Sequence, residues 1–109
     1  MDFNEYQKKA FSTAQYPDKG NNVYYPVLGL CGESGEVAEK IKKVMRDHGG
    51  KFSNDKKIEL GKELGDVLWY IGALATELGL DMGDIAQNNI DKLFSRKDRG
   101  KIKGSGDNR

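Results

Sequence analysis

The sequence predicts an all-α fold, a bundle of four helices. Apolar residues recur at helical spacing in four segments, breaks rich in Gly, Pro and Asn separate them, and no run alternates with the period of a strand. Residues 3–15 carry Phe3, Tyr6, Ala10, Phe11 and Ala14 at helical spacing, which predicts the first helix. "YPDKGNN" (16–22) breaks it with a proline, a glycine and two asparagines. The second helix is expected from Tyr24 or Pro26 to near Asp47, stopped by "HGG" (48–50). Ser53 or Asn54 can cap a third helix running from Asp55 to Leu78, with Gly79 as its stop. Asp81 can cap a fourth, lasting to about Asp98. Short loops between long helices make a bundle the natural product.

A chain of 109 residues forms one domain with a modest core. Charged residues are 32% and hydrophobic ones 37%, a balance that suits a soluble helical domain. No segment approaches the roughly 20 apolar residues of a membrane span, and "MDFNEYQKKAF" lacks a signal-peptide pattern. One cysteine, Cys31, excludes an intramolecular disulfide and fits a reducing cytoplasm, the expected location. One His and one Cys leave too few ligands for a zinc site of the Cys/His type. The net charge of +1 hides an asymmetry. Residues 95–109 hold six Lys/Arg against two acids, so the rest of the chain is acidic. The expected division is a domain over 1–98 and a basic, flexible, solvated tail over 99–109. Six cations on a flexible end do not make a nucleic-acid interface.

The chemistry lies in a repeat. Glu33-Ser-Gly-Glu36-Val37 in "CGESGEVAEKI" recurs as Glu63-Leu-Gly-Asp66-Val67 in "GKELGDVLWYI". On an ideal wheel with Leu30 at zero, Val37, Ile41 and Val44 fall within about 40° and define a core stripe. Glu33 then lies near ~300°, Lys40 near ~280° and Glu36 near ~240°, while Glu39 points away near ~180°. With Leu60 at zero, Leu64, Val67, Ile71, Leu74 and Leu78 form the core stripe of the third helix. Glu63 lies near ~300°, Asp66 near ~240°, Tyr70 near ~280° and Trp69 opposite the stripe near ~180°. Both helices therefore carry their acid pairs at the same offset, and antiparallel neighbours bring four carboxylates together. Such anions repel unless a cation compensates them. An oxygen-only ligand set calls for a hard cation, Mg²⁺ first with Mn²⁺ as a substitute. Gly35 and Gly65 each sacrifice about 1 kcal/mol against Ala in a helix, and close helix approach beside the acids is one use for them. Solvated helix flanks are the competing reading. A ferritin-like di-iron bundle is excluded, because it needs Glu-x-x-His pairs and the only histidine, His48, sits at a helix end.

Glu33-x-x-Glu36 followed by Glu63-x-x-Asp66 is similar to the E-x-x-E…E-x-x-D signature of MazG-like nucleoside triphosphate pyrophosphohydrolases, within the all-α NTP pyrophosphatase superfamily. "LGLCGESGEVAEKIKK" and "ELGDVLWYI" resemble the second and third helices of that family, and "NNIDKLFSR" (88–96) resembles its fourth. The resemblance spans about residues 3–97 and implies hydrolysis of a nucleoside triphosphate to monophosphate and pyrophosphate. It makes Glu33, Glu36, Glu63 and Asp66 the Mg²⁺ ligands, with Glu36 the favoured general base. Asn89, Lys92 and Arg96 lie within roughly 60° of arc on the fourth helix, and the two cations suit polyphosphate oxygens. A solvated basic face is the alternative for these three. Tyr70 is positioned to meet sugar or base, and Trp69 belongs either to a second packing surface or to a pocket. Apolar residues on two sides of a thin chain, together with the family, imply a homodimer or homotetramer. The rival functions are a selective dCTP or dUTP pyrophosphatase and a non-enzymatic helical interaction module.

Overall fold

The computed structural model describes all residues, Met1–Arg109. It contains helices α1 (Phe3–Ser12), α2 (Tyr24–His48), α3 (Asn54–Glu77) and α4 (Met82–Asp98), and no strand. The caps expected at Ser53 and Asp81 form, and Asp2, which the sequence reading did not single out, caps α1. Asp2 accepts from the Glu5 N–H (2.8 Å), Ser53 from Lys56 (3.2 Å) and Asp81 from Asp84 (3.2 Å). Asn22 Oδ1 accepts from the N–H groups of both Tyr24 and Tyr25, at 3.1 Å each, and so opens α2. Gly49 (φ +60°) takes the left-handed turn that ends α2. α1 stops at Ser12 rather than near residue 15. The Thr13 hydroxyl and N–H both turn back to the Ala10 carbonyl (2.7 and 3.0 Å), which closes the last turn early.

α2 and α3, joined by a short loop, form the main hairpin, and α1 lies against α3. Trp69 joins α1 to α3: its indole N–H donates to the Ala10 carbonyl (3.1 Å) and the Thr13 hydroxyl (2.9 Å). It packs with Phe11 against the small core of Ala14, Tyr16 and Ala73. The α1–α2 loop is pinned to the end of α3 by one carboxylate. Glu77 accepts from the Tyr16 hydroxyl (3.1 Å) and from the Gly20 and Asn22 N–H groups (2.9 and 3.2 Å). Burial and then this bond push the Tyr16 phenol up to about 12. α4 hangs from α1 at its first turn. Buried Gln7 donates to Thr76 Oγ1 and the Leu80 carbonyl and accepts from Met82 N–H (2.8 Å), while Asn4 accepts from Gly83 N–H (2.8 Å).

The four helices enclose only a small core within one chain. α4 packs on α1, not along the α2–α3 hairpin. The radius of gyration is 16.8 Å, against about 13 Å for a compact chain of this length. Accessible surface is 7841 Å² at 12.1 kDa, roughly 1,800 Å² above the norm for a folded monomer. Leu64 and Leu78, expected in the core stripe of α3, are 57% and 54% exposed, because no helix of the same chain covers them.

Replacing Glu77 with Ala leaves three donors without their acceptor and should destabilise the fold by about 2 kcal/mol. Urea denaturation of wild type and Glu77→Ala measures it.

Candidate metal and nucleotide site

The acidic face is built where the first half of α2 meets the middle of α3. Carboxylate oxygens of Glu33, Glu63 and Asp66 lie within 4.8 Å of one another. Glu33 and Glu63 are half-buried and Asp66 is exposed. Partial burial and then repulsion from Asp66 and Glu63 push the Glu33 carboxyl above its ordinary range, with a smaller contribution from Glu36. Glu36 is exposed and its carboxylate stands outside the three-acid group. Its charge reaches Glu33, so it borders the site. One cation of the chain faces the cluster: Lys40 Nζ is 3.6 Å from Glu63 Oε1.

This donor set fits a hard cation. It offers only oxygens, and opposite ligands around Mg²⁺ stand about 4.2 Å apart, twice a bond of ~2.1 Å. The observed spacing closes onto an ion with small side-chain movements. Burial and then the neighbouring acids raise Glu33's proton affinity, and a divalent ion would neutralise the charge that Lys40 leaves unpaired.

Beside the acids lies an open pocket of about 350 Å³ lined by Glu33, Asp66, Trp69 and Tyr70. Tyr70 sits in a notch made by Gly29, one turn before Glu33: a Cβ there would run into the ring. The aromatics continue away from the pocket. Trp69 meets Tyr70 edge-on (5.0 Å between centroids), Tyr70 tilts on Tyr25 (6.5 Å), and Tyr25 stacks on Tyr16 (4.8 Å). Trp69 thus belongs both to packing and to the pocket. Gly29 and Tyr25 went unremarked in the sequence. Gly29 precedes Glu33 by four residues in "GLCGE", and its place on the α3-facing side of α2 was the available signal.

The α4 residues stand elsewhere. Asn89 is exposed, while Lys92 and Arg96 bond to the C-terminal residues and make no hydrogen bond or ion pair with the acids. Gly35 and Gly65 also differ from expectation. Nothing lies within 4 Å of a Cβ at either, so close approach of α2 and α3 is not what uses them.

The sequence model of the MazG nucleotide pyrophosphohydrolase domain matches residues 26–100, from the first turn of α2 to the end of α4. The chain is 46% identical over 109 residues to the Gene 37 protein of Mycobacterium phage L5, covering 95% of this chain and 96% of that protein. No solved structure matches it.

Two outcomes follow from this geometry. Since Glu33's carboxyl is raised in the folded state, its charge is a liability above that range and none below the unfolded value. Metal-free Glu33→Gln should therefore melt about 1–3 °C above wild type at pH 7, with the difference shrinking as pH falls through the carboxylate range. Gly29→Ala should cost about 1–3 kcal/mol by driving the Tyr70 ring out of its notch, read as a lower melting temperature and a changed near-ultraviolet dichroism.

Proposed function

Because the chain belongs to the MazG nucleotide pyrophosphohydrolase family, we propose that it hydrolyses nucleoside triphosphates, ribo- or deoxyribo-, to the monophosphate and pyrophosphate in nucleotide-pool housekeeping. The observation that carries this reading is the convergence of Glu33, Glu63 and Asp66 from two helices beside an aromatic pocket. An interaction module would have no use for carboxylates held in mutual repulsion at the mouth of a pocket.

In this mechanism Glu33, Glu63 and Asp66 would hold Mg²⁺, with Mn²⁺ as a substitute, and Glu36 would be a fourth, loosely held ligand. A metal held there would supply Lewis-acid charge to the phosphates and would lower the pKa of a bound water into nucleophilic range. Glu36, exposed and least committed, is the general base that takes the proton of the attacking water. Trp69 and Tyr70 offer ring edges and faces to base or sugar. Lys92 and Arg96 take the outer phosphate oxygens and Asn89 a polar substrate group, reaching the acids from a neighbouring subunit or by movement of α4.

The assembly is a homodimer or a dimer of dimers. On α2, Tyr24, Leu28, Cys31, Gly35, Ala38 and Met45 form an exposed stripe at heptad-like spacing. Ile58, Gly61, Leu64 and Gly65 expose a matching stripe on α3. The excess surface of the single chain, about 1,800 Å², exceeds what one partner buries in a standard interface. The stripe's open glycines admit a close second helix. The product is one acidic face per chain on an assembly closed through its apolar faces.

A panel of ribo- and deoxyribonucleoside triphosphates with Mg²⁺ should release pyrophosphate and monophosphate. Glu36→Gln should slow release by about 10²–10⁴-fold, and Asp66→Asn should abolish the thermal stabilisation that Mg²⁺ gives wild type. Release of orthophosphate alone, or of nothing, refutes the reaction. Analytical ultracentrifugation should return a multiple of the 12.1 kDa chain mass; Leu28→Asp should convert it to monomer or unfold it.

A further inference from the structure

Residues 101–109, within the basic tail expected over 99–109, curl back onto α4 while all but Arg109 stay exposed. Gly100, Gly104 and Gly106 take positive φ (+68°, +134° and +87°), which lets the segment double over. Arg109 ties the curl together by donating to the carbonyls of Lys101 (3.2 Å), Ile102 (2.9 Å) and Gly106 (2.6 Å). Arg99 donates to the Arg109 carbonyl (2.9 Å).

Beneath this strap lies Arg96, only 4% exposed. Its guanidinium donates to the carbonyls of Asp107 (2.6 Å) and Gly106 (3.4 Å), and its Nε is buried with no partner. The Asp107 carboxylate stands 3.2 Å from Lys92 Nζ and 3.6 Å from Arg96 Nη2. Asp107 is itself 86% exposed, so these ion pairs hold the strap weakly. No apolar side chain anchors it either, since Ile102 is 47% exposed. A buried guanidinium with an orphan N–H, neutral carbonyl partners and one distant carboxylate is under-compensated. A phosphate group satisfies it better, because its oxygens accept from the guanidinium fork and the neighbouring ammonium together.

We propose that the C-terminal segment is an internal, displaceable ligand of an anion site formed by Lys92 and Arg96, with Asp107 holding the place of a phosphate group of the substrate. This rests on the phosphate-binding role assigned to those cations above. It goes further in making the chain's own end a competitor of the polyphosphate. The segment lies beyond the part of the chain that the family model matches, which ends at residue 100. The site is open only in the fraction of molecules whose strap is released, so apparent affinity is scaled down by that fraction.

Isothermal titration of the full-length protein with tripolyphosphate, without metal, isolates the α4 site from the acid cluster. Asp107→Asn should bind about threefold or more tighter than wild type, and Arg96→Gln should lose binding. Lys92→Gln, on an exposed edge, serves the same purpose if Arg96→Gln does not fold by circular dichroism. Equal or weaker binding by Asp107→Asn overturns the strap while leaving the anion site standing. Undiminished binding by the cation variants overturns both. Pyrophosphate release is scored separately, so a protein that binds tripolyphosphate as described but hydrolyses nothing refutes the reaction and not the strap.

Discussion

The acidic face depends on how closely α2 and α3 approach, and a single missing side chain sets that approach. Gly29 lets the Tyr70 ring lie against the α2 backbone. Tyr70 follows Asp66 by four residues and Gly29 precedes Glu33 by four, so the ring-in-notch contact sits one turn from both acids. It fixes the register in which Glu33 faces Glu63 and Asp66. Packing usually follows from apolar volume. Here the decisive contact is an absence of volume beside a large aromatic, continued by Tyr25 and Tyr16 into the loop that Glu77 pins.

That register holds like charges together, and the fold supplies little to offset them. Lys40 is the one cation paired with the cluster, and its contact with Glu63 is long at 3.6 Å. A protein optimised for stability alone would place a second base there or remove an acid. Holding Glu33 partly buried and under repulsion costs the metal-free fold stability that a divalent ion would restore under the proposed function.

Much of this was legible in the sequence because helical periodicity converts spacing into direction. The matched offsets of Glu33 and Glu63 predicted that they would face each other, and they do, with Asp66 beside them. The later helices and their ends followed from Ser53, Asp81 and Gly49, whose effects are local. What spacing could not supply was distance between elements. The wheel treats Glu36 as equal to Asp66, yet Glu36 stands outside the three-acid group. It also assigns Leu64 to a core, while the chain has no element to cover it. The position of α4 depends on Asn4 and Gln7 bonding to its first turn, and single polar residues in α1 give no periodic signal.

The repeated motif contains two messages turned away from each other. In Glu33-Ser-Gly35-Glu36 and Glu63-Leu-Gly65-Asp66 the glycine follows the first acid by two residues, about 200° around the helix. A glycine so placed cannot relieve crowding at the acids, and the open space beside Gly35 and Gly65 agrees with that. Its loss of helix propensity is offset by no close contact within the chain. Both glycines lie in stripes that expose Leu28, Met45, Ile58 and Leu64. In a dimer the acids of the motif would address a ligand on one side of the hairpin, and its glycines a second helix on the other. Under the dimeric reading, metal affinity and assembly are written into the same four residues, because the packing that closes the apolar face also stiffens the two helices that hold the carboxylates.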